Sequence, residues 1–99
     1  MPNKHGGITE SEIQSQIKQY LTLRGWFCFK IHQSALSYKG IADLYACKNG
    51  RSAWIEVKTE SGKLSTHQKD FEANLQHQCV RYIVMRDVDD AVKLCEERL

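Results

Sequence analysis

Between Asp43 and Lys58 the chain reads DLYACKNGRSAWIEVK, and the Asn49-Gly50 dipeptide inside it admits few backbone paths. Both residues tolerate the positive φ of a type I′ turn, and the runs on either side are rich in strand-forming residues, so the segment reads as a β-hairpin. A two-residue loop sets the register. Lys48 then faces Arg51, Cys47 faces Ser52, Ala46 faces Ala53, Tyr45 faces Trp54, Leu44 faces Ile55 and Asp43 faces Glu56. Side chains alternate along each strand. One face carries Leu44, Ala46, Ala53, Ile55 and Val57, which suits a core; the other carries Asp43, Tyr45, Trp54, Glu56 and Lys58. Two carboxylates directly opposite each other destabilise a sheet. A divalent cation is the natural group to offset that repulsion, since hard cations take carboxylate oxygens. Lys58, on the same face as Glu56, is a second.

Around the hairpin the pattern alternates helix and strand. Thr9-Glu10-Ser11-Glu12 fits a capping box, with Thr9 as N-cap and Glu12 at N3. It starts a helix running to about Leu23, with an apolar stripe of Ile13, Ile17, Tyr20 and Leu21 and a polar stripe of Glu12, Gln16 and Gln19. Gly25 suits its C-terminal stop. Trp26 to Ile31 reads as a strand, His32 to Gly40 as a loop, and the hairpin strands as about 43–48 and 52–59. Ser61-Gly62 marks a turn, and Ser65-x-x-Gln68 is a second capping box, opening a helix to about Gln76 that buries Phe71 and Leu75. Val80 to Met85 is a fourth strand. Asp87 caps a last helix, from Val88 to about Arg98, whose expected apolar face is Val88, Ala91, Val92 and Cys95. The order α-β-β-β-α-β-α in 99 residues describes one α/β domain spanning 1–99, with a loose N-terminal end at 1–7.

No apolar run approaches a membrane span and no N-terminal signal pattern is visible. Cys28, Cys47, Cys79 and Cys95 are widely spaced with no C-x-x-C pair, which fits reduced, mostly buried thiols, a cytoplasmic setting and no zinc site. The net charge of +2 is unevenly spread: residues 24–86 hold ten Lys/Arg against five Asp/Glu, and residues 87–99 hold two against five. A basic middle suits a polyanion such as nucleic acid, although an excess this modest also describes an ordinary solvated surface. Lys30, Lys39, Lys63, Lys69 and Arg81 are the candidate phosphate contacts, with His32 and His67 beside them.

Gly40-x-x-Asp43, Glu56-Val57-Lys58 and Gly62-x-Leu64-x-x-x-Gln68 together resemble the virus-type replication-repair nuclease (VRR-NUC) domain, a branch of the PD-(D/E)xK nuclease superfamily. The triplet E-x-K alone is weak; its place on the return strand of a hairpin opposite Asp43 is far more specific. The proline of the superfamily's name is absent, since Ile41-Ala42 precedes Asp43. The resemblance implies the PD-(D/E)xK core, a central mixed four-stranded sheet flanked by helices. It also implies Mg²⁺ or Mn²⁺ on Asp43, Glu56 and the Val57 carbonyl. Lys58 would act on the attacking water or the transition state, Glu12 would be the helix-borne acid, and Gln68 would hydrogen-bond near the site. Local chemistry competes for two of these, because Glu12 and Gln68 are also capping-box residues. Tyr45 and Trp54 could stack on a base or form a cross-strand pair under a helix.

The activity the resemblance implies is phosphodiester hydrolysis in DNA, in standalone domains of this size the paired incision of four-way (Holliday) junctions by a homodimer in DNA repair. A flap or duplex-end nuclease, or a DNA-binding protein without catalysis, is the alternative. The candidate dimer surfaces are the apolar face of the last helix and the Val80–Met85 strand.

Overall fold

A computed structural model describes residues 7–97, so the expected loose end at 1–7, apart from Gly7, and the end of the last helix at Arg98 lie outside the described residues. Helix α1 is Glu10–Leu23. Its capping box forms as read: the Glu12 N–H donates to Thr9 Oγ1 at 3.1 Å, and the Thr9 N–H donates to Glu12 Oε1 at 2.9 Å. The spacing of Ile13, Ile17 and Leu21 turns all three inward, and all are buried. At the other end, Gly25 takes φ 92° and the Lys48 ammonium donates to the Arg24 carbonyl at 2.7 Å. A lysine from the hairpin thus satisfies a carbonyl the helix leaves unpaired.

Four strands follow: β1 Phe27–Lys30, β2 Leu44–Lys48, β3 Arg51–Val57 and β4 Tyr82–Met85. They form one sheet in the order β1-β2-β3-β4, the first two pairings antiparallel and the last parallel. Asn49 and Gly50 both take positive φ, at 50° and 81°, and the hairpin register from Lys48↔Arg51 to Leu44↔Ile55 is the expected one. The parallel step needs a crossover, which helix α2, Thr66–His77, supplies; α3, Val88–Glu96, follows β4.

Leu44, Ala46, Ala53, Ile55 and Val57 pack with Ile13, Ile17, Leu21, Ala91 and Leu94 into one apolar core beneath α1 and α3. The last helix is rotated from the expected stripe: Ala91 and Leu94 are buried, whereas Val88 and Val92 are only half-buried. Because that face packs against α1, it is not free to bind a second copy. β3 ends at Val57, short of the expected 59, because the chain turns at once, with the Gly62 N–H on the Thr59 carbonyl at 3.1 Å. The cysteines are all free. Cys28 is buried and burial pushes its thiol up to about 11, Cys47 and Cys95 are half-buried, and Cys79 is exposed, so the expectation of mostly buried thiols holds for only part of the set. No helix of the described residues is long and apolar enough to cross a membrane.

The opposite face of the sheet is aromatic. Tyr45 and Trp54 meet edge to face at 5.2 Å between ring centroids, and Phe71 of α2 packs edge-on over Trp54 at 5.6 Å. Of the two readings of that pair, the structure takes the one under a helix.

Candidate active site

Asp43 and Glu56 do come together, by a route that hairpin register does not foresee. The ladder stops at Leu44↔Ile55. The Asp43 N–H then bonds to the Ile55 carbonyl at 3.0 Å, so Asp43 and Leu44 both sit against Ile55. Two residues opposing one is the arrangement of a β-bulge, which re-aims the side chain it carries. The expected Asp43–Glu56 ladder pair is therefore absent. Asp43 instead turns its carboxylate onto the end of β3, where Oδ2 accepts the Val57 N–H at 2.8 Å. The side chain takes the place a backbone carbonyl would have filled. Its other oxygen, Oδ1, accepts from Gln33 Nε2 at 3.2 Å, and the same amide reaches the Ile41 carbonyl at 3.3 Å.

Glu56 is the one buried charged residue of the described chain, 1% exposed. Its Oε2 accepts from Gln68 Nε2 at 3.0 Å, while Oε1 is buried with no hydrogen-bond donor. Burial first, then the hydrogen-bonding approach and charge of Asp43, push the Glu56 carboxyl up to about 9; Lys58 pulls the other way. Burial and the neighbouring carboxylate both favour the protonated form of Glu56, and a bound cation would relieve the same repulsion. Each retains acceptor capacity beyond the bonds it makes, because a carboxylate has about four lone-pair positions.

These observations test the metal expectation on chemical grounds. An orphaned buried carboxylate oxygen beside a second carboxylate, with the Val57 backbone adjacent, fits a hard divalent cation. No cluster of three or more His, Cys, Asp or Glu side chains close enough to share an ion exists among the described residues. The ligand set would be two carboxylates, backbone oxygen and water, the usual composition for Mg²⁺.

The Gln68 side chain makes two hydrogen bonds, one for each end of its amide. Its Oε1 accepts the Ser65 N–H at 2.9 Å, completing the second capping box, and its Nε2 holds Glu56. Gly40 makes this possible: at φ 81° its Cα lies so close to the first turn of α2 that a Cβ there would fall 2.2 Å from the His67 carbonyl oxygen. The loop carrying Asp43 and the helix carrying Gln68 are thereby packed backbone to backbone.

Glu12 is not at the site. It is exposed, and the Thr9 backbone and hydroxyl hydrogen bonds hold its carboxyl below the usual range. The acid of α1 that bears on Glu56 is Glu10, half-buried, whose charge adds to the upward shift of Glu56. The signal was present in the sequence: Glu10 precedes Ile13 and Ile17 by three and seven positions, which puts it beside the buried stripe, whereas Glu12 shares a stripe with Gln16 and Gln19. One turn on from Glu10, Gln14 joins Lys30, Ile31, His32, Gln33 and Asp43 in lining an open cleft of about 470 Å³. Of the expected phosphate contacts, Lys30 lies in this cleft. Lys39, Lys63, His67 and Lys69 are exposed, and their side chains make no hydrogen bond or ion pair among the described residues. Arg81 is exposed and forms a bidentate pair with Glu97. Gln33 had no sequence signal, since nothing in the pattern of a loop says which polar residue folds back onto an acid.

No protein-family profile matches the chain and no curated protein sequence matches it. Its fold is nevertheless that of known nuclease structures. A solved VRR_NUC domain superposes at a TM-score of 0.76 with 23% identity, covering 91% of this chain and 97% of that one. Hjc, a Holliday junction resolvase from the hyperthermophilic archaeon Archaeoglobus fulgidus, superposes at 0.60 with 15% identity, covering 78% of this chain and 67% of its own. The expected core, three helices and a mixed four-stranded sheet in the order α-β-β-β-α-β-α, is the fold of both.

Proposed function

We propose that this protein is a metal-dependent DNA endonuclease that hydrolyses phosphodiester bonds in branched DNA, with the four-way junction as its substrate. The observation that carries the reading is the buried Glu56 Oε1, without a donor and beside a second carboxylate, at the end of a sheet whose fold is a nuclease fold. Asp43, Glu56 and the Val57 carbonyl would hold Mg²⁺ or Mn²⁺. Such an ion supplies positive charge to a phosphate oxygen and lowers the pKa of water.

The chain's own residues do the rest. Gln33 and the Val57 N–H fix both oxygens of Asp43, so the carboxylate is already aimed before substrate arrives. Gln68 fixes one oxygen of Glu56 and leaves the other open. Lys58, half-buried and without a hydrogen bond or ion pair on its ammonium among the described residues, is free to meet the negative charge that develops on the phosphate. Lys30 and His32 line the cleft beside Asp43, where the DNA backbone would enter.

A four-way junction has two equivalent strands to cut, and a two-fold dimer presents two sites. Both β1 and β4, the latter within the expected Val80–Met85 strand, are edges of the sheet, and the β1 side is the one that carries exposed aromatic residues. Phe27 and Phe29 on the edge strand are 65% and 41% exposed, Leu36 and Tyr38 on the following loop 96% and 59%. Phe27 packs on Phe29 and Phe29 on Tyr45, so the exposed edge runs into the half-buried Tyr45–Trp54 pair, which the buried Phe71 closes off under α2. A contiguous exposed apolar patch marks an interaction site, and a second copy of the chain is the occupant proposed.

The test is cleavage of a synthetic four-way junction with and without Mg²⁺, beside flap and duplex-end substrates. Asp43→Ala and Glu56→Ala are expected to lose Mg²⁺-dependent cleavage while remaining folded. Phe29→Asp is expected to elute as a monomer and to leave singly nicked junctions. Binding without any cut under Mg²⁺ or Mn²⁺ would recast the protein as a junction-binding module.

A further inference from the structure

Arg86 follows β4 directly, and its guanidinium reaches across to the turn that follows the neighbouring parallel strand β3. Nη1 donates to the Thr59 carbonyl at 2.7 Å and to the Gly62 carbonyl at 2.7 Å, with the Glu60 carbonyl at 3.2 Å. The residue is itself anchored, since its N–H donates to Asp90 Oδ2 at 2.8 Å. It forms no ion pair among the described residues, and the hydrogen bonds of its guanidinium go to backbone oxygens. A half-buried arginine gathering three carbonyls of one turn is an expensive way to stabilise an exposed loop, because a short turn can satisfy its carbonyls with water.

The position of that turn explains the arrangement. It begins immediately after Lys58 and ends three residues before the Ser65 cap that starts α2 and presents Gln68. The turn folds back on its own first residue: a Cβ on Gly62 would lie 3.1 Å from Thr59 Oγ1 and at ordinary van der Waals distance, 3.5 Å, from Lys58 Cβ, so the turn lies beside the lysine stem. Lys58 itself is tied at its backbone to the residue before Arg86, through its N–H on the Met85 carbonyl at 3.0 Å. The ends of β3 and β4 and the turn between β3 and α2 thus form one closed unit with the Arg86 guanidinium at its centre.

We infer that Arg86 is a positioning residue for the reaction: by clamping the Thr59–Gly62 turn it holds the Lys58 ammonium and the start of α2 in place around Glu56. This rests on the nuclease reading above. It adds a residue that touches neither substrate nor metal and acts through Lys58 and Gln68.

Two measurements on the full chain test it. The first does not depend on activity. In Arg86→Ala, amide exchange at Gly62 and Lys58 is expected to accelerate at least about tenfold over wild type, while amides of the β2–β3 hairpin keep their protection. Unchanged exchange at Gly62 overturns the clamp. The second is steady-state cleavage of a four-way junction under saturating Mg²⁺. Arg86→Ala is expected to lower kcat about 10- to 100-fold, as losses of supporting contacts around a metal site do, with KM within about twofold. Arg86→Lys, which keeps three donors and a charge, is expected to recover part of the loss. In a Lys58→Ala background the same change should have less than about half its effect on ln kcat, since residues acting through one another are not additive. A rise in KM with kcat unchanged would make Arg86 a DNA contact and overturn the positioning role, as would full additivity with Lys58→Ala. Should Arg86→Ala fail to fold, Arg86→Lys and Arg86→Gln carry both measurements. Accelerated exchange without cleavage even by wild type would leave the clamp standing and sink the nuclease reading instead.

Discussion

The two long helices begin in the same way and end up in different employments. At α1, Thr9 and Glu12 close a capping box; at α2, Ser65 and Gln68 close another with nearly the same distances. The sequence signals are equivalent. The difference is the chemistry of the N3 residue. A carboxylate only accepts, so once Glu12 has taken the Thr9 N–H it has no donor to offer a neighbour. An amide accepts at one atom and donates at the other, so Gln68 caps its helix through Oε1 and holds Glu56 through Nε2. One box is purely local; the other joins a helix start to the buried acid.

Four experiments probe how deep that difference goes. The largest effect is expected from Gln68→Glu. It preserves the capping box but removes the donor and adds a third acid, so cleavage of a four-way junction should fall about 10- to 100-fold with little change in Tm. Activity close to wild type would show that the bond to Glu56 is dispensable. Next is Glu10→Gln against Glu12→Gln. Only Glu10 bears on Glu56, so its substitution should alter the Mg²⁺ dependence of cleavage several-fold, an outer-shell effect at the low end of about tenfold, while Glu12→Gln should leave it unchanged. The reverse result would return the helix-borne role to Glu12.

The third concerns pH. The Glu56 carboxyl sits at about 9 in the folded protein, above its ordinary value near 4.5. Between those limits the folded state binds the proton more tightly than the unfolded state, so stability falls as pH rises. With chelator present, Tm should therefore decline from about pH 5 to about pH 9 through this group, and Glu56→Gln should flatten that slope. An unchanged slope in the variant would place the titration elsewhere. The smallest effect is the caps themselves. Thr9→Ala and Ser65→Ala should each lower stability by about 1 kcal/mol in denaturant unfolding. Only Ser65→Ala should also slow cleavage, because only that cap orients a residue of the site.

Much of this architecture is legible in the amino-acid sequence. The Asn49-Gly50 turn, the register of Leu44 to Ile55, both capping boxes and the element order all follow from local rules, because turn geometry, helix caps and the alternation of side chains act over a few residues. The faults are of one kind. Strict alternation continued the ladder one residue too far, and the bulge at Asp43 replaced a backbone partner with a side chain. Glu12 is spent on its own capping box, and Glu10, beside the buried stripe, is the acid of α1 whose charge reaches Glu56.

What lies along the chain within one turn of helix or one hairpin could be worked out from residue order, since backbone sterics and hydrogen bonding there leave few alternatives. Gln33 on Asp43, Arg86 on the Thr59–Gly62 turn, Lys48 on the end of α1 and the aromatic surface left uncovered beside α2 could not. Each joins segments distant in sequence, and which polar side chain meets which orphaned carbonyl or carboxylate is settled when the layers pack and water leaves.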